Sequence, residues 1–368
     1  MIESYDVGSL PLVGDAEKFL EGATCFRSYP TDDSVRYFER RVIEGFLDKI
    51  GTGMDVPNYT QFRDMNEMFL EMIKGVERVK GGFMETGILS IKEGEDAIPE
   101  VVAIKKGSQE IWERTGKSFK MKICVTGPYT LSSLFLYKDN EIFSRLGNVI
   151  SKIMESSIFE EKHGSVSLVA VDEPVFGLLD DPLMDHGSEG RENLLRAWES
   201  IFRKATSKGV QTCMHLHSTA DELFWEVKTL NIIESHIDNP LYYAERTKKL
   251  LESTDKFLKA SIGVVDFNSL IKENLLTDLP KKVSEIIVNE RIAEAWKRIT
   301  SGKLNPNFFL EDIELMGERL TKILNRFGAE RVPYAGPECG LQGFPTYECA
   351  LECLKRVSSA VRGFTNNT

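Results

Sequence analysis

The amino-acid sequence predicts an α/β fold, a (β/α)8 TIM barrel that forms a single domain over residues 1–368. Three observations support this prediction. Apolar runs of β-forming residues alternate with stretches of helical periodicity along the chain. No Pro/Ser-rich linker or low-complexity block divides the 368 residues, which are enough for one large domain. Polar residues of the kinds found in catalytic and metal-binding sites follow most of the predicted strands.

Eight apolar runs are the predicted strands. They are Tyr5–Ser9, Gly53–Val56, Phe119–Val125, Val166–Val171, Val210–His217, Asn231–Glu234, Leu258–Val265 and Arg331–Ala335. Helical periodicity fills most of the gaps, at Ser34–Ile50, Glu141–Lys162, Arg191–Lys208, Pro240–Ser253, Leu279–Thr300, Leu310–Phe327 and Tyr347–Arg362. Glycine follows two of these helices, at Gly209 and Gly328, as helix ends favour. The segment Thr86–Glu113 fits no plain βα unit and is expected to be an excursion.

The composition excludes several classes of function. A net charge of −11 without a basic stripe disfavours a nucleic-acid partner. No apolar run approaches the roughly 20 residues of a membrane helix, and the first residues do not form a signal peptide. Six scattered cysteines favour reduced thiols over a disulfide scaffold. We therefore expect a cytoplasmic protein with neither nucleic-acid nor membrane partners.

The most informative segment is Cys213-Met214-His215-Leu216-His217, which holds two of the five histidines. Side chains two residues apart on a strand point to the same face, so His215 and His217 present two imidazoles together. Such a pair can be half of a tetrahedral zinc site.

The other half of this site needs two ligands from elsewhere in the chain. Glu234 and Cys339 lie at or after the ends of later predicted strands and would supply an oxygen and a sulfur. No local Cys-x-x-Cys fixes the pattern. Cys213, on the same face, and His236, two residues after Glu234, therefore remain alternatives to His217.

Other polar residues also fall where TIM barrels carry their chemistry, at the carboxyl ends of strands. Gly8-Ser9 closes the first predicted strand and Thr126-Gly127-Pro128 the third. Asp172-Glu173 closes the fourth. Two adjacent carboxylates are costly to hold unless they contact something positive, so this pair is a functional candidate.

Five short motifs carry a resemblance to a known family. They are Val7-Gly8-Ser9, Thr126-Gly127-Pro128, Val171-Asp172-Glu173-Pro174, Ile233-Glu234-Ser235 and Pro337-Glu338-Cys339-Gly340-Leu341. In this order they resemble the catalytic C-terminal barrel of cobalamin-independent methionine synthase, in the uroporphyrinogen-decarboxylase-like group. The resemblance covers nearly the whole chain, which is similar to the single-barrel "core" type.

The resemblance implies a zinc-dependent methyltransferase. The metal would bind homocysteine as a thiolate, which attacks a methyl group to give methionine. The implied zinc ligands are His215, His217, Glu234 and Cys339. The implied substrate-binding residues are Gly8, Ser9, Gln61 and Asp172, and the catalytic candidates are Asp172, Glu173 and Asn268. Single-barrel relatives imply a methylated corrinoid protein as donor and partner.

Departures from the family pattern keep other functions open. His217 stands where the family has Cys, Gln61 where it has Glu, and Asn268 where it has His; the folate-stacking Trp is missing after Pro128. A neutral Gln61 would pair poorly with an ammonium. One alternative is therefore a coenzyme M methyl- or alkyltransferase, with Arg63 as the nearest candidate for the sulfonate. The other is a non-catalytic metal- or corrinoid-binding barrel.

Overall fold

The computed structural model describes residues 2–278 and 284–365. The strands within these ranges are β1 Glu3–Ser4, β2 Ile73–Val79, β3 Gly82–Ile91, β4 Phe119–Thr126, β5 Glu160–Glu161, β6 Gly164–Glu173, β7 Gln211–Leu216, β8 Ile232–Glu234, β9 Phe257–Gly263 and β10 Tyr334–Pro337. The α-helices are α1 Ala16–Cys25, α2 Asp33–Gly51, α3 Glu67–Leu70, α4 Pro99–Lys106, α5 Ser108–Thr115, α6 Pro128–Ser132, α7 Ile142–Ser157, α8 Glu189–Ser207, α9 Glu245–Thr254, α10 Phe267–Asp278, α11 Glu285–Thr300, α12 Ile313–Phe327 and α13 Tyr347–Thr365.

A curled parallel sheet organises the molecule. Its strand order is β1-β10-β9-β8-β7-β6-β4, and every neighbouring pair along this path is parallel. The short β5 adds to β6 in antiparallel fashion. α-Helices connect most successive strands and pack on the sheet in a continuous apolar core, whereas β7 and β8 are joined through the short 3-10 helix Leu223–Glu226. The predicted α/β class with a parallel, barrel-like sheet is thus confirmed.

The predicted second strand, Gly53–Val56, is wrong as a strand. These residues form a turn and a bend, and the extended residues that follow make isolated parallel bridges, Ser9 with Gln61 and Asn58 with Lys122. Pro57 has no N–H to give to a ladder, which limits regular pairing here. The segment still hydrogen-bonds to both sheet edges, since Val56 N–H donates to the Ser4 carbonyl and Tyr59 N–H to the Lys122 carbonyl.

Several predicted boundaries also move. The helix predicted over Glu141–Lys162 ends at Ser157, because Phe159 turns into the core and the chain pairs back on β6. The helix predicted over Leu279–Thr300 is observed from Glu285, and residues 279–283 lie outside the described residues. The first strand pairs at Glu3–Ser4 rather than at Tyr5–Ser9.

The excursion expected at Thr86–Glu113 covers the second half of an antiparallel hairpin and most of two helices. The antiparallel hairpin β2–β3 forms its own two-stranded sheet, and α4 and α5 follow it. Within the described residues, no helix has the length and apolar character that crossing a membrane requires.

The burial of β6 explains how the sheet delivers polar groups to one end. Residues Leu168–Val171 are apolar and buried, as is typical of a parallel strand covered on both faces. The polar pair Asp172-Glu173 follows only where the strand ends. Because the parallel strands share this direction, their carboxyl ends bring polar residues together at one rim.

A buried ion pair anchors the first polar turn of that rim. Lys49 of α2 and Asp6 are both fully buried, with 2.6 Å between Nζ and Oδ2. The ammonium also donates to the carbonyls of Gly8 at 2.7 Å and of Asn58 at 3.2 Å. Burial lowers the pKa of Lys49, and Asp6 opposes that shift.

We predict that Lys49→Met lowers the free energy of unfolding by about 3–5 kcal/mol, because it leaves Asp6 buried without its cation. The matched control is Lys106→Met, since Lys106 and Glu39 pair at 3.2 Å on the surface, where such pairs contribute about 0–1 kcal/mol. Urea unfolding followed by circular dichroism measures both. Equal losses in the two variants would contradict the anchoring role.

Candidate metal centre

Strand register places three polar side chains in one row. Asp172 of β6 pairs with His215 of β7, and His215 pairs with Glu234 of β8. Side chains directly opposite on neighbouring parallel strands point to the same face of the sheet, and here all three are buried. The row therefore lies on one face at the carboxyl end of the sheet.

A group of four metal-ligating side chains forms at this end. His215, His217, His236 and Cys339 each offer one ligand atom, and these atoms lie within 4.8 Å of one another. Cys339 Sγ is 3.6 Å from His215 Nε2 and 3.5 Å from His217 Nε2. The His217 and His236 rings are 4.2 Å apart between centroids. We call these four residues the His/Cys group.

The electrostatics of the His/Cys group favour a thiolate. Burial opposes ionisation of Cys339, but the neighbouring imidazoles of His215, His217 and His236 lower its pKa well below the usual value. Burial also opposes the charged form of His215, yet Cys339 and Glu234 raise its pKa to about 10. Burial lowers the pKa of His217. The metal-free group thus favours a Cys339 thiolate beside a protonated His215, and a metal that binds His215 would displace that proton.

The donor set fits a divalent transition metal, and zinc in particular. Imidazole nitrogens and a thiolate sulfur are the usual ligands of tetrahedral zinc. His236 Nε2 is buried and has no hydrogen-bond partner among the described residues, so it is available to a metal. The His/Cys group can therefore bind a metal.

The predicted ligand Glu234 lies beside the His/Cys group rather than in it. Its Oε1 is 3.3 Å from Lys122 Nζ and its Oε2 is 2.9 Å from Lys259 Nζ. Tyr5 also donates its hydroxyl to Oε2, at 3.1 Å. The alternative ligand Cys213 lies deeper, with its Sγ 3.3 Å from the Tyr5 hydroxyl oxygen.

The adjacent carboxylates Asp172 and Glu173 point to opposite faces of β6. Asp172 is buried, and its Oδ1 has no hydrogen-bond partner among the described residues. Burial raises its pKa to about 6, although His215 and Lys122 act against this. Asp172 thus presents an unsatisfied acceptor next to the His/Cys group.

Glu173 is placed differently from the prediction of a catalytic pair. It accepts hydrogen bonds from the Tyr129 and Thr130 N–H groups, the Thr130 hydroxyl and the Trp198 indole. Because α6 begins at Pro128, Glu173 caps that helix. The close approach excludes any side chain at Gly127, where a Cβ would lie 2.2 Å from the carboxylate.

Three of the predicted substrate-binding residues, Gly8, Ser9 and Gln61, lie together beside the loop that carries Cys339. Gly8 has φ of +144°, and a Cβ there would lie 2.7 Å from Asn58 Nδ2. Gln61 N–H donates to the Gly8 carbonyl at 3.4 Å. The Ser9 carbonyl accepts from Leu341 N–H at 2.9 Å, and a Cβ on Gly340 would clash with the Ser9 hydroxyl. These contacts tie the first rim turn to the Cys339 loop.

Asn268 lines a cavity that opens beside the His/Cys group. The cavity has a volume of about 350 Å³, and its walls include His236, Phe267, Trp296 and Cys339. The Trp296 indole donates to Asn268 Oδ1 at 2.8 Å, so the side chain of Asn268 is held by α11. Sequence reasoning did not anticipate Trp296, because α11 has no motif that points to the rim.

Arg63 is already paired within the fold. Its guanidinium makes two parallel contacts to Glu100, at 2.8 and 2.9 Å, and lies 3.6 Å from Glu71. Both Arg63 and Glu100 are buried. The candidate cation for a sulfonate is therefore neutralised by carboxylates of the chain itself.

Comparisons with known proteins indicate the fold. No protein-family model matches the sequence, and no curated protein matches it. A B12-independent methionine synthase from Shewanella sp. W3-18-1, solved in complex with selenomethionine, superposes with a TM-score of 0.61 at 13% identity, covering 100% of both chains. A Xaa-Pro dipeptidase with bound methionine gives a TM-score of 0.39 at 9% identity, covering 98% of this chain and 73% of the other.

The fold and the His/Cys group together define the class, a barrel-like α/β protein with a candidate metal centre. More particularly, the chain shares its fold with a B12-independent methionine synthase over its full length. This likeness agrees with the resemblance carried by the five sequence motifs.

We predict that the protein, purified without chelators, carries about one zinc ion per chain and that Cys339→Ser greatly reduces this content. Cys213→Ser should retain the metal, because Cys213 contacts Tyr5 rather than the His/Cys group. Cys25→Ser, remote from the group and half-buried, is the control for the loss of a thiol. Elemental analysis of the three variants decides, and full zinc in Cys339→Ser would remove Cys339 from the ligand set.

We predict that Glu173→Gln lowers the free energy of unfolding by about 1–3 kcal/mol without loss of metal, since an amide cannot accept from all four donors. Burial raises the pKa of Glu173 to about 7, although the four donors oppose this. The folded state therefore holds more protons than the unfolded state between the ordinary pKa and pH 7, and stability falls as pH rises there. Denaturant melts from pH 5 to 7 should show a steeper fall of stability in the parent protein than in Glu173→Gln, because the slope from the raised pKa of Asp172 is common to both.

Proposed function

We propose that the protein is a metal-dependent thiol methyltransferase, with zinc as the metal and homocysteine as the default acceptor. The observation that carries this proposal is the His/Cys group beside the unpartnered carboxylate of Asp172. The full-length fold likeness to a methionine synthase solved in complex with selenomethionine, a methionine analogue, also favours an amino-acid thiol as acceptor.

Different groups at the rim would bind the sulfur and the ammonium of the amino-acid substrate. When bound, zinc lowers the pKa of a thiol that it coordinates, so that a thiolate is present at neutral pH. Asp172 would accept the substrate ammonium, and the Gly8-Ser9 turn would approach the backbone of the amino acid. An electron pair of the thiolate sulfur would form the new S–C bond, and the electron pair of the bond that joined the methyl group to the donor would stay with the donor.

The donor side is proposed from the chain's own residues. Asn268 cannot donate or take up a proton as a histidine would, so it suits a donor whose leaving group needs no proton. A methylated corrinoid carried by a partner protein is such a donor. Its methyl group is transferred as a cation equivalent, and the cobalt of the corrinoid keeps the electron pair of the broken bond. This keeps the corrinoid protein as the proposed partner.

We also propose that the sheet closes into the full (β/α)8 barrel. Residues 55–61 lie between β1 and β4 and hydrogen-bond to both. This segment would take the place of the eighth strand. The rim it completes carries Gln61 beside Gly8, so closure bears directly on the proposed acceptor site.

We predict that the zinc-loaded protein methylates homocysteine with methylcobalamin as donor, and that Asp172→Asn weakens this reaction about 10–100-fold in kcat/KM by removing a charge-assisted hydrogen bond. Coenzyme M, which has no ammonium, is the comparison acceptor. Asp172→Asn should leave its rate nearly unchanged if the proposed ammonium contact is correct. Metal content of the variant is the control.

The two acceptors also separate the proposals. A reaction with coenzyme M but not homocysteine would favour the coenzyme M transferase, for which Gln61 is the supporting residue. A zinc-loaded protein that forms no thioether from either thiol would favour the non-catalytic metal- or corrinoid-binding barrel.

A further inference from the structure

Glu234 is enclosed by two lysines below the His/Cys group. Lys122 of β4, Glu234 of β8 and Lys259 of β9 all have side chains with no exposed surface. The Tyr5 ring lies under both ammonium groups, at 4.4 Å from Lys122 Nζ and 5.5 Å from Lys259 Nζ. We call these three charged residues the lysine–glutamate bridge. Its formal charge is +1, because two cations face one carboxylate.

His215 connects this bridge to the His/Cys group. Its Nε2 faces Cys339 Sγ at 3.6 Å, and its Nδ1 lies 3.5 Å from Glu234 Oε1. This Nδ1 contact is longer than a full hydrogen bond, but Nδ1 has no other partner among the described residues. A carboxylate behind a metal-ligating imidazole fixes its tautomer and orientation.

We propose that Glu234 is a positioning residue that orients His215, and that His236 takes the fourth ligand place, giving a site of three histidines and one cysteine. The inference rests on the proposed metal-dependent function. It departs from the ligand set implied by the sequence motifs, in which Glu234 binds the metal itself.

The energetics of the lysine–glutamate bridge favour this assignment. If the Glu234 carboxylate rotated to coordinate a metal, Lys122 and Lys259 would lose the only carboxylate that contacts them among the described residues. Breaking a buried ion pair in this way is strongly destabilising. His236 meets no such obstacle, because its Nε2 is buried and unpartnered next to His217.

The ligand assignment changes the charge of the site. Three neutral imidazoles and one thiolate leave a divalent metal with a formal charge of +1, whereas a carboxylate ligand in place of His236 would leave it neutral. An acceptor thiolate would have to bind as a fifth ligand, an expansion that zinc sites can undergo, and it would then neutralise the centre. The site would therefore select thiols over neutral donors such as thioethers, which favours acceptor binding and product release.

The test uses variants that keep the buried charge balanced. Glu234→Gln with Lys259→Met removes one negative and one positive charge, so the bridge keeps its formal charge of +1. Cobalt(II) replaces zinc as the probe, because its visible spectrum reports coordination number and its charge-transfer band reports thiolate ligation. Circular dichroism establishes that each variant is folded.

We expect the double variant to bind cobalt with an unchanged type of spectrum and an affinity weakened about 10–100-fold, as for other outer-shell residues. His236→Gln should lose most of the affinity and change the spectrum. If the double variant does not fold, Lys259→Met alone serves. It should weaken cobalt binding slightly without altering the spectrum, because Glu234 keeps Lys122.

The opposite pattern would overturn the inference: a changed spectrum in the Glu234 or Lys259 variants together with an intact spectrum in His236→Gln. Failure of the proposed function is a separate result. A parent protein with the expected cobalt spectra but no methyl transfer would retain the ligand assignment and lose the activity. A parent protein that binds no metal would lose both.

Discussion

The candidate site depends on the in-register pairing of β6, β7 and β8. One register sets Asp172, His215 and Glu234 side by side on the inner face. Because side chains alternate along a strand, a shift of one residue would turn a whole strand's contribution away from this face. The same register also separates layers, with Cys213 below the row and His217 above it. A sheet pairing thus decides which polar groups can meet a metal.

Polar groups below the rim cost stability and give the site its shape. The Lys49–Asp6 pair and the lysine–glutamate bridge are both fully buried. Buried ion pairs contribute little net stability, so their retention needs another explanation. Here each contacts a rim element: Lys49 holds the Gly8 carbonyl, and Glu234 faces His215. Their role in this fold is best understood as placement of the rim.

The sequence predicts the α/β class, because long apolar strands are local patterns, and it draws attention to His215, His217 and Cys339, which the fold brings together in the His/Cys group. The role of Glu234 could not be predicted in this way. It depends on Lys122 and Lys259, which are distant in sequence from Glu234 and lie within largely apolar strands with no motif around them. The strand predicted at Gly53–Val56 is wrong for a similar reason. How this part of the chain pairs depends on its hydrogen bonds to β1 and β4, which the local sequence does not show.

Asp172 and Glu173 show how strand alternation separates roles that the sequence presents as a pair. The Glu173 carboxylate accepts hydrogen bonds from α6 and Trp198, whereas Asp172 has an oxygen without a partner among the described residues, beside the His/Cys group. The cavity at Trp296 has neither Asp172 nor Ser9 in its walls, although Cys339 borders it. On the proposed function, Cys339 therefore lies where two approaches meet. The polar end of a thiol would be held at Asp172, and the methyl donor would arrive through the cavity.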